Sequence, residues 1–262
     1  MSYKYIKIEK KNKIAIISLN TPEKLNALNV ENLTELYSAL KECENDSVRV
    51  IIFTGQGKIF SSGGNVKEFL SAIQAGTATQ KIADISEILH KCAEKIMTIG
   101  KPVIGKIRGG AYGASLNLVL CCDLLYAEEN TVLDQAFPNL GLCFDGSGTY
   151  TIPRIIGMKR AKEFFWLGKI TAKQAADWGL INEALSENEL DQAVDKIATK
   201  LVNIPPLNAI NTKKLLNMTF LNTIKQQLEA ERKIQIKIAA SEDFAEGVTA
   251  FFEKRRPNFK GK

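Results

Sequence analysis

The sequence is poor in residues that hold metals. It has one histidine, His90, and five cysteines: Cys43, Cys92, Cys121, Cys122 and Cys143. No two cysteines form a CxxC pair and two are adjacent, which suits neither a zinc site nor a regular disulfide framework. Reduced thiols in a cytoplasmic protein are the reading that remains, and no metal is expected. Long apolar runs are also missing. The longest, from Leu116 to Leu125, is broken by Asn117 and Asp123 and is far short of the roughly 20 residues that span a bilayer. The start, MSYKYIKIEKKNK, is basic but lacks the apolar run and small-residue cleavage site of a secretory signal, so no membrane partner is expected. Neither sign of charge dominates. The net charge is +6, and the ending EKRRPNFKGK carries much of it. No aromatic-basic interleaving or recognition motif accompanies that tail, which argues against nucleic acid and leaves a small polyanion as an equally good partner.

What is present is an ordinary globular composition, 45% hydrophobic and 24% charged over 262 residues, enough for one large domain with a helical appendage. Ile6 to Glu9 and Ala15 to Leu19 read as strands joined by the turn Lys10 to Lys13. The segment NTPEKLNALN reads as a loop. Asn29 can cap a helix whose apolar positions Leu33, Leu36, Tyr37 and Leu40 follow a 3–4 spacing. Val50 to Thr54 is a buried strand, followed by the glycine-rich loop FSSGGNVKEF and one helix of about twenty residues ending near Gly100. Val103 to Ile107 is the next strand, and the loop RGGAYGAS opens a helix from Leu116 to Cys122. Strand, loop, helix and strand recur in a way that favours parallel pairing with helical crossovers. From Met158 onward the segments are amphipathic and helical, with Thr171 an N-cap and Gly179 a stop. The expected architecture is an α/β core over residues 1–190 and a helical region over 191–262.

Two glycine-rich loops, each after a buried strand, carry the chemical signal. Small residues let backbone N–H groups approach a ligand atom closely, and two such donors aimed at one carbonyl make an oxyanion hole. By itself a glycine after a strand is an ordinary turn, and spacing alone does not bring the two loops together.

The ordered set FSSGGNVKEF, KPVIGKIRGGAYGAS…CCDLLYA, NTPEKLNALN, AFPNLGLCFDGSGTYTIPRIIG, AKQAADWGLINEAL and EGVTAFFEKRRPNF closely resembles the enoyl-CoA hydratase/isomerase (crotonase) superfamily, from about Asn12 to Phe259. The resemblance implies a spiral of ββα repeats with a C-terminal helical region for trimerisation and coenzyme A contacts. It also implies a homotrimer or a hexamer. It implies an acyl-CoA thioester as partner and no cofactor of the protein's own, since coenzyme A is part of the substrate. By the same resemblance the oxyanion donors are the N–H groups of Gly64 and Ala114. Lys24, Leu25 and Ala27 in the first loop, Ser62 and Gly64 in the second, and Lys254 near the end would contact coenzyme A.

Hydratases of this family place two glutamates around a water, and the matching positions here are Asn117 and Phe137. Neither replaces a carboxylate, and loss of a general base costs about 10²–10⁴-fold. The acid that remains is Asp145. In the enoyl-CoA isomerases and the ring-opening isomerase of phenylacetate breakdown, which this sequence is similar to, an acid at this position moves a proton along the acyl chain. Phe137, Leu142 and Phe144 would wall the carboxylate and raise its pKa. Phe69, Leu70, His90, Phe137 and Tyr150 are expected around the acyl group. The aryl-CoA dehalogenases of the family pair an aspartate nucleophile with a histidine base, positions that correspond to Asp145 and His90, but they carry a tryptophan where this chain has Phe137. Asp-Gly is also a common turn pair, and some family members bind RNA, so a turn residue and a binding protein are the non-catalytic alternatives.

Overall fold

The computed structural model describes residues 3–262. The chain opens with a hairpin of β1 (Ile6–Lys11) and β2 (Ile14–Leu19). Its turn is tighter than the expected Lys10 to Lys13: only Asn12 and Lys13 separate the strands, at φ 51° and 65°. Positive φ at both central residues matches the right-handed twist of the strands. Asn29 caps α1 (Val30–Glu42) through a reciprocal capping box with Asn32, and Leu33, Leu36, Ala39 and Leu40 form its buried stripe. β3 (Val50–Gly55) follows. Where one helix was expected, two form, α2 (Val66–Gln74) and α3 (Ala78–Thr98). Gly76, at φ 71°, lies in the break between them.

The middle of the chain alternates short elements: β4 (Val103–Ile107), β5 (Gly110–Tyr112), α4 (Ala114–Val119), β6 (Leu124–Glu128) and β7 (Val132–Asp134). Then come α5 (Gly148–Leu167), interrupted at Gly157, β8 (Ile170–Thr171), α6 (Ala172–Asp177) and β9 (Glu183–Leu185). Thr171 caps α6 as expected, and Gly179, at φ 75°, follows its end. Four helices complete the chain: α7 (Glu187–Val202), α8 (Pro206–Met218), α9 (Ile224–Ala239) and α10 (Glu242–Phe252).

The strands form a six-stranded sheet, β1-β2-β3-β4-β6-β9, and a three-stranded one, β5-β7-β8. In the large sheet only β1 runs antiparallel to its neighbour; every other pair is parallel. Both faces are therefore covered, which explains the continuous apolar run of β3. Phe53, Leu36, Leu40, Ile96 and Leu116 pack in the main core. On the opposite face Val50, Ile52, Ile104 and Tyr126 meet Leu190, Val194 and Ala198 of α7. The boundary between residues 190 and 191 thus falls inside a helix that covers the sheet. α8 is tied to the C-terminal end of α3: Lys213 Nζ donates to the Ile96 carbonyl and to Asp123 Oδ2, each at 2.7 Å, and Asn217 Nδ2 donates to the Met97 carbonyl at 2.7 Å. Among the described residues no helix is long and apolar enough to cross a membrane.

Candidate active site

The site is assembled from loops at the ends of parallel strands, and hydrogen bonds rather than sequence proximity bring them together. In the first loop Asn26 is buried at φ 51°, a conformation asparagine tolerates better than most residues. Its Oδ1 accepts from the Thr21 N–H, and its Nδ2 donates to the carbonyls of Gln56, Ile59 and Phe60. Ser61 Oγ donates back to the Asn26 carbonyl at 2.7 Å. One side chain thus welds NTPEKLNALN to FSSGGNVKEF. In sequence the segment NTPEKLNALN reads only as a loop, so this role was missed.

The second loop is joined to RGGAYGAS in the same way. The Ser61 N–H donates to the Gly110 carbonyl and the Tyr112 N–H to the Ser61 carbonyl, each at 3.2 Å. Buried Ser115 Oγ lies between the Ser61 and Tyr112 carbonyls. The convergence that spacing could not supply is therefore present. Gly113 (φ 51°, ψ −125°) makes a turn that side chains resist and leads directly into Ala114, the first residue of α4. Neither the Gly64 nor the Ala114 N–H has a hydrogen-bond partner among the described residues. Both residues line one cavity of about 250 Å³, together with Ser62, Phe69, Phe137 and Asp145.

Asp145 enters this cavity from the loop before α5. Its backbone is pinned by Asn117, whose Nδ2 donates to the Asp145 carbonyl at 2.7 Å while its Oδ1 accepts from Gln135 Nε2 at 3.0 Å. A Cβ on Gly148 would lie 2.4 Å from the Asn117 amide, so glycine is needed for this approach. Asn117 therefore holds the loop where a hydratase would hold water. Phe137 is buried, its ring edge-on to Phe144 at 5.7 Å, and Phe144 lies 4.3 Å from Phe165. Of the two hydratase positions, Asn117 is committed to structure and Phe137 presents an aromatic ring to the cavity it lines.

The Asp145 carboxylate receives three donors. Ser86 Oγ donates to Oδ2 at 2.7 Å, the Gly146 N–H donates to Oδ1 at 2.8 Å, and His90 Nε2 lies 2.5 Å from Oδ1. Partial burial alone would raise its pKa, as expected from the apolar walls. The hydrogen bonds from Ser86, His90 and Gly146 outweigh it and hold the carboxyl below the usual aspartate range. That expectation is corrected: Asp145 is ionised at neutral pH. Ser86 carried no signal in the sequence, being one serine on an amphipathic helix.

Other expected site residues disperse. Leu142 and Phe69 line the cavity, but Leu70 lines an adjoining apolar cavity of about 430 Å³ that shares Val66, Phe69, Ile82, Leu140 and Leu142 with it. Glu68 of α2 and Lys81 of α3 form an ion pair at 2.5 Å beside this extension. Tyr150 lies on a separate cavity of about 580 Å³, with His90, Met97, Ser147, Arg154 and Phe220. Leu25 is half exposed, and its carbonyl accepts from the Ser62 N–H at 2.9 Å, so Lys24, Leu25 and Ala27 flank the cavity without lining it. Lys254 stands exposed just beyond α10, at φ 53°, and does not line the cavity of its own chain. All five cysteines are free. Burial pushes the Cys92 thiol up to about 12 and Cys121 to about 11, which leaves both inert. Exposed Cys143 lines the cavity mouth, which the sequence did not reveal. Among the described residues no cluster of three or more His, Cys, Asp or Glu side chains could hold a metal.

Comparison with known proteins agrees with this geometry. The family model described as enoyl-CoA hydratase/isomerase matches residues 9–262. A trans-2-decenoyl-[acyl-carrier-protein] isomerase of Streptococcus mutans is 30% identical, with all of both chains covered. A 1,2-epoxyphenylacetyl-CoA isomerase of Escherichia coli is 32% identical over 95% of each chain. The crystal structure of an enoyl-CoA hydratase from Polaromonas superposes with a TM-score of 0.91 at 31% identity, covering 97% of this chain and 99% of the other. With paired glycine loops meeting at one cavity, and with relatives matched over nearly their whole length, the chain belongs to the enoyl-CoA hydratase/isomerase family and has the crotonase fold.

Proposed function

We propose that the chain is an acyl-CoA isomerase that moves a carbon–carbon double bond by proton transfer. The observation that carries this reading is Asp145: its ionised carboxylate shares one cavity with the unpartnered N–H groups of Gly64 and Ala114, while Asn117 is engaged with the backbone and Phe137 offers that cavity only an aromatic ring. The thioester carbonyl oxygen accepts from the two N–H groups. Asp145 removes a proton from the carbon beside the carbonyl, giving a dienolate whose negative oxygen those donors stabilise. Each such donor is worth about 3–4 kcal/mol in the transition state. Asp145 then returns a proton two carbons away. Protons and charge balance without a metal or redox cofactor, and coenzyme A is part of the substrate. The adjoining apolar cavity gives the acyl group room beyond the reacting carbons. Lys24, Leu25, Ala27, Ser62 and Lys254 would contact coenzyme A, Lys254 from a neighbouring subunit of a trimer or hexamer. Exposed Phe251 and Phe252 support such self-association. Five free thiols suit the cytoplasm.

A paired assay tests this. Purified protein given a 3-enoyl-CoA should generate the conjugated thioester, seen as rising ultraviolet absorbance, and should leave a 2-enoyl-CoA nearly untouched. Rapid loss of the 2-enoyl substrate would mean hydration and would overturn the reading. The contact between His90 and Asp145 favours one second reading, attack by Asp145 on an aryl-CoA with His90 activating water. Halide release from a halogenated aryl-CoA, with no conversion of enoyl substrates, would establish it instead. Retention on RNA that falls steeply with salt and ignores Asp145→Ala would mark a binding protein.

A further inference from the structure

His90 stands in the wall between two cavities. The cavity with the oxyanion donors includes Asp145 but not His90, and the larger one beside Tyr150 and Met97 includes His90 but not Asp145. The histidine side chain is 58% exposed and that of Asp145 only 30%. One ring nitrogen, Nε2, contacts Oδ1 of the carboxylate; the other, Nδ1, has no protein partner among the described residues. The remaining donors to Asp145 have no such second face. Ser86 Oγ lies on α3 against Oδ2, and the Gly146 N–H cannot pass a proton on. Of the three, only the imidazole reaches from the carboxylate to the second cavity, and it can take a proton at one nitrogen and release another from the other.

We propose that His90 connects Asp145 to solvent, so that the proton removed from substrate exchanges with water before one is returned. This rests on the isomerase reading. After abstraction Asp145 carries the substrate proton. Water in the Tyr150 cavity first protonates Nδ1 and takes the Nε2 proton, so that the exposed imidazole passes to its Nδ1–H tautomer; the O–H bond at Oδ1 then breaks as an Nε2–H bond forms, giving an aspartate–imidazolium pair. The Nδ1–H then passes its proton to a water in the Tyr150 cavity. The reverse steps bring a solvent proton to Asp145 for delivery to the dienolate. Transfer between a carboxyl and an imidazole already in contact competes readily with turnover at the usual rates of about 1–10³ s⁻¹. A carboxylate sealed in an apolar pocket would instead hand back the proton it took. His90 is thus a positioning and exchange residue acting through Asp145.

The test is isomerisation of a 3-enoyl-CoA in deuterium oxide, with deuterium at the fourth carbon of the product measured by mass spectrometry and expressed per turnover. Most product molecules from the unaltered protein should carry one deuteron there. His90→Gln keeps an amide able to donate to Asp145 but cannot relay a proton, and its label per turnover should fall severalfold whatever its rate. A purely structural His90 would change the rate and leave label per turnover alone, which would overturn the relay. Retention of protium at that carbon in the unaltered protein would also overturn it, even if the variant failed to fold, and would leave the isomerase reading standing. No conversion of the 3-enoyl substrate would overturn the isomerase reading itself, and the relay with it.

Discussion

The loops around Asp145 and the three helices that end the chain treat their side chains in opposite ways. In the loops and in α4 beside them, polar Asn26, Ser61, Ser115, Asn117 and Gln135 are buried and hydrogen-bonded within the chain. In α8 and α9 no residue is buried, while Phe220, Leu221, Ile224, Phe251 and Phe252 in and around the helices stand exposed. The first region pairs nearly all of these buried groups, Gln135 Oε1 excepted, so its geometry can be held to the tolerance that oxyanion stabilisation needs. The second spends little apolar surface on its own chain and is joined to it chiefly by polar anchors such as Lys213 and Asn217. Apolar patches of this kind mark surfaces that meet another molecule, here a second copy by the reading above.

Substitutions should separate the two regions. The largest effect is expected from Asp145→Asn, which should lower turnover by about 10²–10⁴-fold with acyl-CoA binding nearly intact. Turnover measured beside a calorimetric binding titration would check it, and surviving turnover would remove Asp145 from the chemistry. Asn26→Ala leaves several buried carbonyls and one N–H unpaired and should cost about 3 kcal/mol, read as a lower denaturant midpoint. An unchanged midpoint would show that the loops do not depend on this weld. Lys213→Met leaves Asp123 without its cation. It should cost about 2–3 kcal/mol, somewhat less than a fully buried pair, and should expose the α3–α8 junction to limited proteolysis. A protease pattern like that of the unaltered protein would mean that apolar packing, not this anchor, holds α8.

Exchanging Phe251 and Phe252 together for serine tests the other side of the comparison. Chain stability should move by only about 0.5 kcal/mol or less, as for surface positions, while the sedimentation coefficient should fall if these rings join copies. The smallest effect is a pH shift. Asp145 has a lowered pKa in the folded protein, so its stabilising contribution is complete above the unfolded aspartate value. That contribution is lost as pH falls through the folded value. Ser86→Ala removes one donor and should raise that folded value, so the acid limb of kcat/KM should move to higher pH. An unmoved limb would mean that His90 and Gly146 alone set the carboxylate.

Much of this was legible because it is local. Asn29 and Thr171 announce helix starts, and the apolar run of β3 announces a strand covered on both faces. The turn at Asn12 and Lys13 and the break near Gly76 were less legible. Both depend on backbone conformations that many sequences can adopt once packing demands them. The site divides likewise. Asp145 and the two glycine loops stand out by residue type and order. Ser86 lies 59 residues from its carboxylate partner and Asn26 lies 34 from one of its carbonyl partners, so no local pattern reveals either contact.

The sequence by itself determined the family, most of the longer elements and the presence of an acid at Asp145 with no glutamate at Asn117 or Phe137, because those follow from residue identity and order along the chain. Only the tertiary structure decided that the two glycine loops share one cavity. It also decided that Asn117 serves the backbone rather than a water, and that Asp145 is held ionised instead of being pushed toward neutrality. Those outcomes depend on which donors arrive from distant segments. A carboxylate's pKa is set by the balance of burial against hydrogen bonds, a balance that exists only after the chain has folded.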